Sequence, residues 1–130
     1  MSEQDVATVK AAYESFNQGD IPAVLATYHD QIEWIEPGGG SAPSGTFTGP
    51  ESVAQDVFAA VPENFDEFSV DIDEVEDQGD TVVVKGRFTG KNKGGSVLDA
   101  PFEHRNSMRE GRVVRFENKV DQDAWAAAWS

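Results

Sequence analysis

Residues 97–120 read VLDAPFEHRNSMREGRVVRFENKV, and the alternation within this stretch decides the fold. Val97 to Met108 predicts one long strand and Arg112 to Val120 a second, joined by a tight turn at Glu110-Gly111. Side chains alternate across a strand. Phe102, His104, Asn106 and Met108 therefore share one face, and Pro101, Glu103, Arg105 and Ser107 the other. On the following strand Phe116, Asn118 and Val120 share a face. An amide buried there needs hydrogen-bond partners, which singles out Asn118.

Moving toward the N-terminus, Gly90 to Gly95 reads as a turn, Val82 to Phe88 as a strand, and Gln78-Gly79-Asp80 as a hairpin turn. Phe65 to Val75 is a further strand, with Phe68, Val70 and Ile72 at period two. Val6, Val9, Tyr13 and Phe16 recur at helical spacing and predict a helix over 3–17. Gly19 suits its C-cap, and Asp20 caps a second helix with Pro22 in the first turn and Val24, Leu25 and Tyr28 as its buried stripe. His29 is then a charge at that helix's end. Ile32, Trp34 and Glu36 form one face of a short strand. Residues 37–49 are rich in glycine and predict a mobile loop, able to act as a lid. Pro50 opens a third helix through Ala60, with Val53, Val57 and Phe58 inward, and Pro62 ends it. Downstream of the quoted stretch, Asp121 caps a short helix whose Trp125 and Trp129 close the core or cover the mouth of a pocket.

Helices that precede an antiparallel meander define an α+β class. A strongly curved sheet with helices across its concave side makes a cone around a central pocket, expected as one domain over residues 1–130. The chain has no cysteine and two histidines, so neither a disulfide nor a zinc site is expected. Its formal net charge of −14 repels phosphate and anionic lipid, which excludes nucleic acid and membrane surfaces as partners. The acidic residues are dispersed along the chain, which reads as a well-solvated surface or as adaptation to high salt. With no long apolar run and no leader-like N-terminus, a cytoplasmic location is expected.

In their order and spacing, several short pieces resemble the nuclear-transport-factor-2-like (NTF2-like) superfamily, and within it the ketosteroid-isomerase and SnoaL-like polyketide-cyclase group. They are YESFNQGD at 13–20, IEWIEP at 32–37, Gly45 to Gly49 before a helix, APFEH at 100–104, and EGRVV at 110–114. The resemblance covers about residues 5–128. It implies the NTF2-like cone, a small hydrophobic ligand, a homodimer, and no cofactor or metal.

The isomerase pattern carries over residue by residue. Its general base precedes a proline after the first strand, and Glu36-Pro37 matches it. Its second acid lies in a Pro-x-Asp-His context, which Pro101-Phe102-Glu103-His104 matches with Glu103. Its oxyanion tyrosine falls on Ala12, with Tyr13 one residue later, a turn of about 100° around the helix. That tyrosine is therefore expected to be absent, which weighs against steroid isomerisation.

The isomerase match favours Glu103 inward, together with Arg105, and this is the orientation expected. The apolar company of Phe102 and Met108, and an F-x-H motif of SnoaL-like relatives, favour His104 inward instead. His104 reads as a general base or acid, as a dimer-face histidine, or as a metal ligand without partners. Glu36 alone also reads as a surface glutamate. The expected catalytic set is Glu36, Glu103 and His104. Tyr13, Trp34, Phe58, Arg105, Phe116 and Asn118 are the expected substrate contacts.

Two functions follow. One is a SnoaL-like enzyme performing cofactor-free proton transfer, of isomerase, cyclase or dehydratase type, on a small hydrophobic carbonyl compound. The other is a non-catalytic small-ligand binder or dimerisation module on the same fold.

Overall fold

A computed structural model describes residues 2–130. Its elements run α1 (Ser2–Asn17), α2 (Ile21–Leu25), β1 (Tyr28–Pro37), β2 (Ser44–Thr48) and α3 (Pro50–Ser52), followed by a π-helical segment (Val53–Phe58). They continue with α4 (Ala60–Asn64), β3 (Phe65–Asp77), β4 (Thr81–Asn92), β5 (Val97–Arg109), β6 (Arg112–Val120) and α5 (Gln122–Ala128). The six strands form one sheet in the order β2-β1-β6-β5-β4-β3. All neighbours are antiparallel except β1 and β6, which pair in parallel. The sheet is therefore mixed rather than purely antiparallel, because the chain leaves β1 and returns beside it only after β2, the helical segments and β3 to β5.

The sheet curls over the helices. Register shifts interrupt the β3–β4 ladder between Phe65 and Glu67 and between Ile72 and Glu74, and such bulges bend a strand. Gly90 contributes at the same ladder: its φ is 155°, and a Cβ there would collide with the Glu67 carbonyl. On the concave side α1 buries Val9, Ala12 and Tyr13. Its last residue is tied to the sheet by a strand-like exchange. Asn17 Nδ2 donates to the Val70 carbonyl and the Val70 N–H donates to Asn17 Oδ1, both at 2.9 Å. Asp20 caps α2 through the Ala23 N–H, as its sequence position predicts.

Three elements depart from expectation. α2 stops at Leu25, and Tyr28 and His29 begin β1. Tyr28 pairs with Val113, and the Val113 N–H donates to the Thr27 carbonyl, so pairing with β6 outweighs another helical turn. His29 consequently lies on a strand beside Glu110, 3.1 Å away.

Residues 37–49 are not a structureless lid. Ser44–Thr48 forms β2 against β1, and the intervening turn is fastened to α5. Ser41 donates twice to the Trp129 carbonyl, from its backbone N–H at 2.9 Å and its hydroxyl at 2.6 Å. Gly40, at φ 58°, allows this approach, since a Cβ would lie 2.9 Å from the Trp129 carbonyl.

The third predicted helix is three short pieces, and Pro62 lies inside the last of them. Proline is tolerated in a first turn, where its missing N–H has no partner to lose. The π segment, with the Ala59 N–H on the Ala54 carbonyl, takes up the extra residue while burying Val53, Val57 and Phe58. Among the described residues, no helix is long and apolar enough to cross a membrane.

Candidate functional site

Strand β5 supplies the centre of the site. Leu98, Ala100, Phe102, His104, Asn106 and Met108 alternate inward and are buried. Glu103 and Arg105 are on the opposite face, each side chain 38% exposed, and Arg105 Nη1 lies 3.3 Å from Glu103 Oε2. The expectation that Glu103 and Arg105 face the cavity is therefore corrected. The reason is a charge ladder on the outer face: Glu103 stands between Lys85 and Lys119, and Arg105 opposite Glu117. Opposite charges across strands reinforce one another in water, whereas burial would have stranded them. With Glu103 outside, the second acid of the isomerase pattern has no counterpart in the cavity.

The inner face builds a buried row of hydrogen bonds. Tyr13 Oη is 2.7 Å from His104 Nδ1, and His104 Nε2 is 3.0 Å from Asn118 Oδ1. Asn118 Nδ2 donates to Glu36 Oε1 at 3.0 Å, and Trp34 Nε1 donates to Glu36 Oε2 at 2.6 Å. The carboxylate fixes the direction of the whole row. It only accepts, so the Asn118 amide must present its nitrogen to Glu36 and its oxygen to His104. His104 then carries its proton on Nε2, and its bare Nδ1 accepts the Tyr13 hydroxyl. Every proton in the row points toward Glu36.

Burial sets the electrostatics. Glu36 is 7% exposed, and desolvation pushes its pKa up to about 7 against the opposing hydrogen bonds from Asn118 and Trp34. His104 is ringed by apolar surface: the Phe102 ring stacks on it at 3.8 Å, and Phe116 meets it edge-on at 4.7 Å. Desolvation lowers its pKa to about 3, despite the Asn118 hydrogen bond, so the imidazole is neutral at pH 7. Burial raises the Tyr13 phenol well above its usual range, with Asn106 opposing. Tyr28 is raised too, by burial and then by the charges of Tyr13 and Glu36.

These groups border a cavity of about 80 Å³ between the helices and the sheet. Of the expected contacts, Tyr13, Trp34, Phe58, Phe116 and Asn118 line it, together with Glu36 and His104. Trp34 stacks on Phe116 with ring centres 3.7 Å apart, because the parallel β1–β6 register sets them side by side. Phe58 closes on Trp34 edge-first at 5.4 Å. Arg105 and Glu103 take no part.

Tyr28 and Asn106 were not expected as lining residues, and Trp125 and Trp129 were expected to close the core or cover the mouth, yet all four line the cavity. The signal for Asn106 was present, since it alternates with His104. Both tail tryptophans are 3% exposed, and both indole N–H groups are buried without a protein partner.

A curved six-strand sheet closed over helices is the architecture of the NTF2-like proteins that the chain resembles in structure. The chain is 28% identical to an NTF2-like protein of unknown function from Burkholderia pseudomallei K96243, with a TM-score of 0.90 over 98% of each chain. It is 27% identical to TerC, crystallised with polyporic acid, with a TM-score of 0.88 over 97% of this chain and 98% of that one. Bal32a, from a soil-derived mobile gene cassette, is 25% identical, with a TM-score of 0.91 over 99% and 98%. No curated protein matches the chain. The protein belongs to the SnoaL-like domain family, matched over residues 9–116.

Proposed function

We propose that the protein is an enzyme that moves a proton on a small apolar carbonyl compound, with Glu36 as the base. One observation carries this reading: the Glu36 carboxyl stands at the wall of an apolar cavity, with its pKa pushed up by burial to about 7. A base whose pKa lies near the working pH is both available and strong enough to act. Ketosteroid isomerase works by the same logic, in which burial divides the roles of acidic groups.

The carboxylate takes a proton from the carbon beside the carbonyl. The C–H electron pair becomes the new C=C bond, and the carbonyl π pair moves onto oxygen as an enolate. Returning the proton at another carbon completes an isomerisation. Attack of the enolate carbon on a second carbonyl completes an aldol cyclisation, and loss of a β-hydroxyl completes a dehydration. Each route balances without an external oxidant or reductant. Trp34 and Asn118 hold one carboxylate oxygen each. His104, neutral at pH 7, is a positioning residue that passes the Tyr13 orientation to Asn118. Membership of the SnoaL-like family and the crystallisation of TerC with polyporic acid support an organic guest.

The cavity volume bounds that guest. A dry hollow of about 150 Å³ takes one benzene, and this one measures about 80 Å³. A compact ring fits with small wall movements, whereas a fused polycycle requires α5 to shift. A second reading, a non-catalytic small-ligand binder, is favoured by the same volume and by Glu36 having a protein donor on each oxygen already.

Exchange of α-protons for deuterium in a panel of small cyclic ketones, followed by proton NMR, separates the two. The enzyme reading expects exchange that Glu36→Gln slows about a hundredfold or more, while ligands still raise the melting temperature of that variant. Binding without exchange by the wild type leaves the binder reading. Absence of both removes the small-molecule function.

A further inference from the structure

Proton abstraction beside a carbonyl needs a donor for the oxygen that becomes negative. Most polar groups on the cavity wall are committed within the protein, although the Tyr28 hydroxyl on the same wall is not. Tyr13 spends its proton on His104, His104 on Asn118, and Asn118 and Trp34 on Glu36. Asn106 Nδ2 donates to the Val82 carbonyl at 3.3 Å. Glu103 is on the far face of the sheet.

Two further donors remain. The indole N–H groups of Trp125 and Trp129 are buried and unpartnered, and among the described residues no other side-chain polar atom is in that state. Both residues line the cavity that Glu36 lines, with ring centres 5.5 Å apart. Indole nitrogen donates but never accepts, so the pair suits an acceptor oxygen and discriminates against a hydroxyl used as donor or against an ammonium group.

We propose that Trp125 and Trp129 form the oxygen-binding pair of the site, receiving the carbonyl oxygen of a neutral ketone while its α-carbon faces Glu36. This inference rests on the small-ligand reading above and deepens it: it names the ligand class as a carbonyl compound and assigns to α5 the role that the isomerase pattern gives to other residues. A buried N–H that finds no partner in the protein is stabilised when a guest supplies one, so the pair favours a guest that carries an acceptor oxygen.

The test uses two probes of one shape, cyclopentanone and methylenecyclopentane, added to the ¹⁵N-labelled protein. The three indole N–H signals are assigned by Trp34→Phe, Trp125→Phe and Trp129→Phe, each of which deletes one signal. The expected result is that cyclopentanone moves the Trp125 and Trp129 indole protons downfield and leaves the Trp34 proton, already bonded to Glu36, in place. Methylenecyclopentane moves cavity methyl signals without that downfield change. Trp125→Phe and Trp129→Phe each weaken cyclopentanone binding about three- to tenfold more than they weaken methylenecyclopentane binding, the worth of one net hydrogen bond, the hydrocarbon reporting the change of wall shape common to both probes.

If both probes occupy the cavity and the indole protons respond alike to both, the donor pair is refuted while the small-ligand reading survives. If neither probe disturbs any cavity signal, the small-ligand reading fails and takes this inference with it. The wild-type spectra decide the matter even where a variant does not fold, given assignment by through-bond transfer.

Discussion

Two buried groups at the centre of the site pull the pH dependence of stability in opposite directions. Glu36 titrates at about 7 in the fold and near 4.5 when unfolded. Between those values the native state holds more protons than the unfolded state, so this group's contribution weakens as pH rises through the window. His104 titrates at about 3 in the fold and near 6.5 when unfolded. There the unfolded state holds more protons, so stability is lost as pH falls through that window. Each slope is about 1.4 kcal/mol per pH unit, and over the shared range of roughly 4.5 to 6.5 they offset one another. Tyr13 and Tyr28, the other titratable groups in contact with the row, stay protonated throughout. Urea unfolding of Glu36→Gln should therefore uncover the His104 slope, with stability falling on acidification from about pH 6.5 to 4.5 where the wild type is nearly flat. A flat variant would mean that His104 is not desolvated, and a wild type already as steep as the variant would mean that Glu36 is not. The pairing of Trp34 with Glu36, and of Phe116 with Asn118, was legible from alternation. The row that links them was not, because it joins α1, β1, β5 and β6 through contacts far apart in the chain.

Strand β5 shows what a single element conceals. Its alternation states which residues share a face, and it does so correctly for all of Phe102 to Met108. It does not state which face looks inward. Lys85 and Lys119, on the neighbouring strands, settle that by flanking Glu103 across the outer surface. The Glu103–Arg105 pair is half-exposed and, like most such pairs, is worth about 0–1 kcal/mol. Replacing Arg105 by Leu should therefore change the melting temperature little and leave the Glu36 titration, followed by carboxyl ¹³C NMR, where it was. An upward shift of Glu36 would place Arg105 in the cavity after all. Helix boundaries were less legible for a related reason. Tyr28 fits the stripe of α2 and also fits a strand, and only the partner strand β6 decides between them. Likewise nothing in VAQDVF announces a π turn.

For the molecule as a whole, order and spacing supplied all of the architecture but β2, which lies within the glycine-rich segment read as a loop: two helices, a strand, a helical segment, a four-strand meander and a tail helix. What the spacing could not supply was the parallel β1–β6 contact, which depends on how tightly the sheet curls. The net charge of −14 also acts at this scale. Self-repulsion among dispersed acidic groups opposes the compact state, and salt screens it, with a Debye length falling from about 10 Å at 0.1 M to about 3 Å at 1 M. Thermal unfolding should shift upward by several degrees between those concentrations. A flat response would mean that the ion pairs on the outer face, which salt weakens, balance the repulsion.

The two bonds from Ser41 to the Trp129 carbonyl close a seam between the turn after β1 and the tail helix. Pro43 on one side of that seam and Trp129 on the other both border the hollow. Residence time of a guest is then tied to how often the seam parts, independently of how well the walls fit. Ser41→Ala removes one of the two bonds without touching the walls, and it should speed both association and release of cyclopentanone in equal proportion. Exchange rates measured by NMR line shape that stay unchanged would show that guests pass by another door.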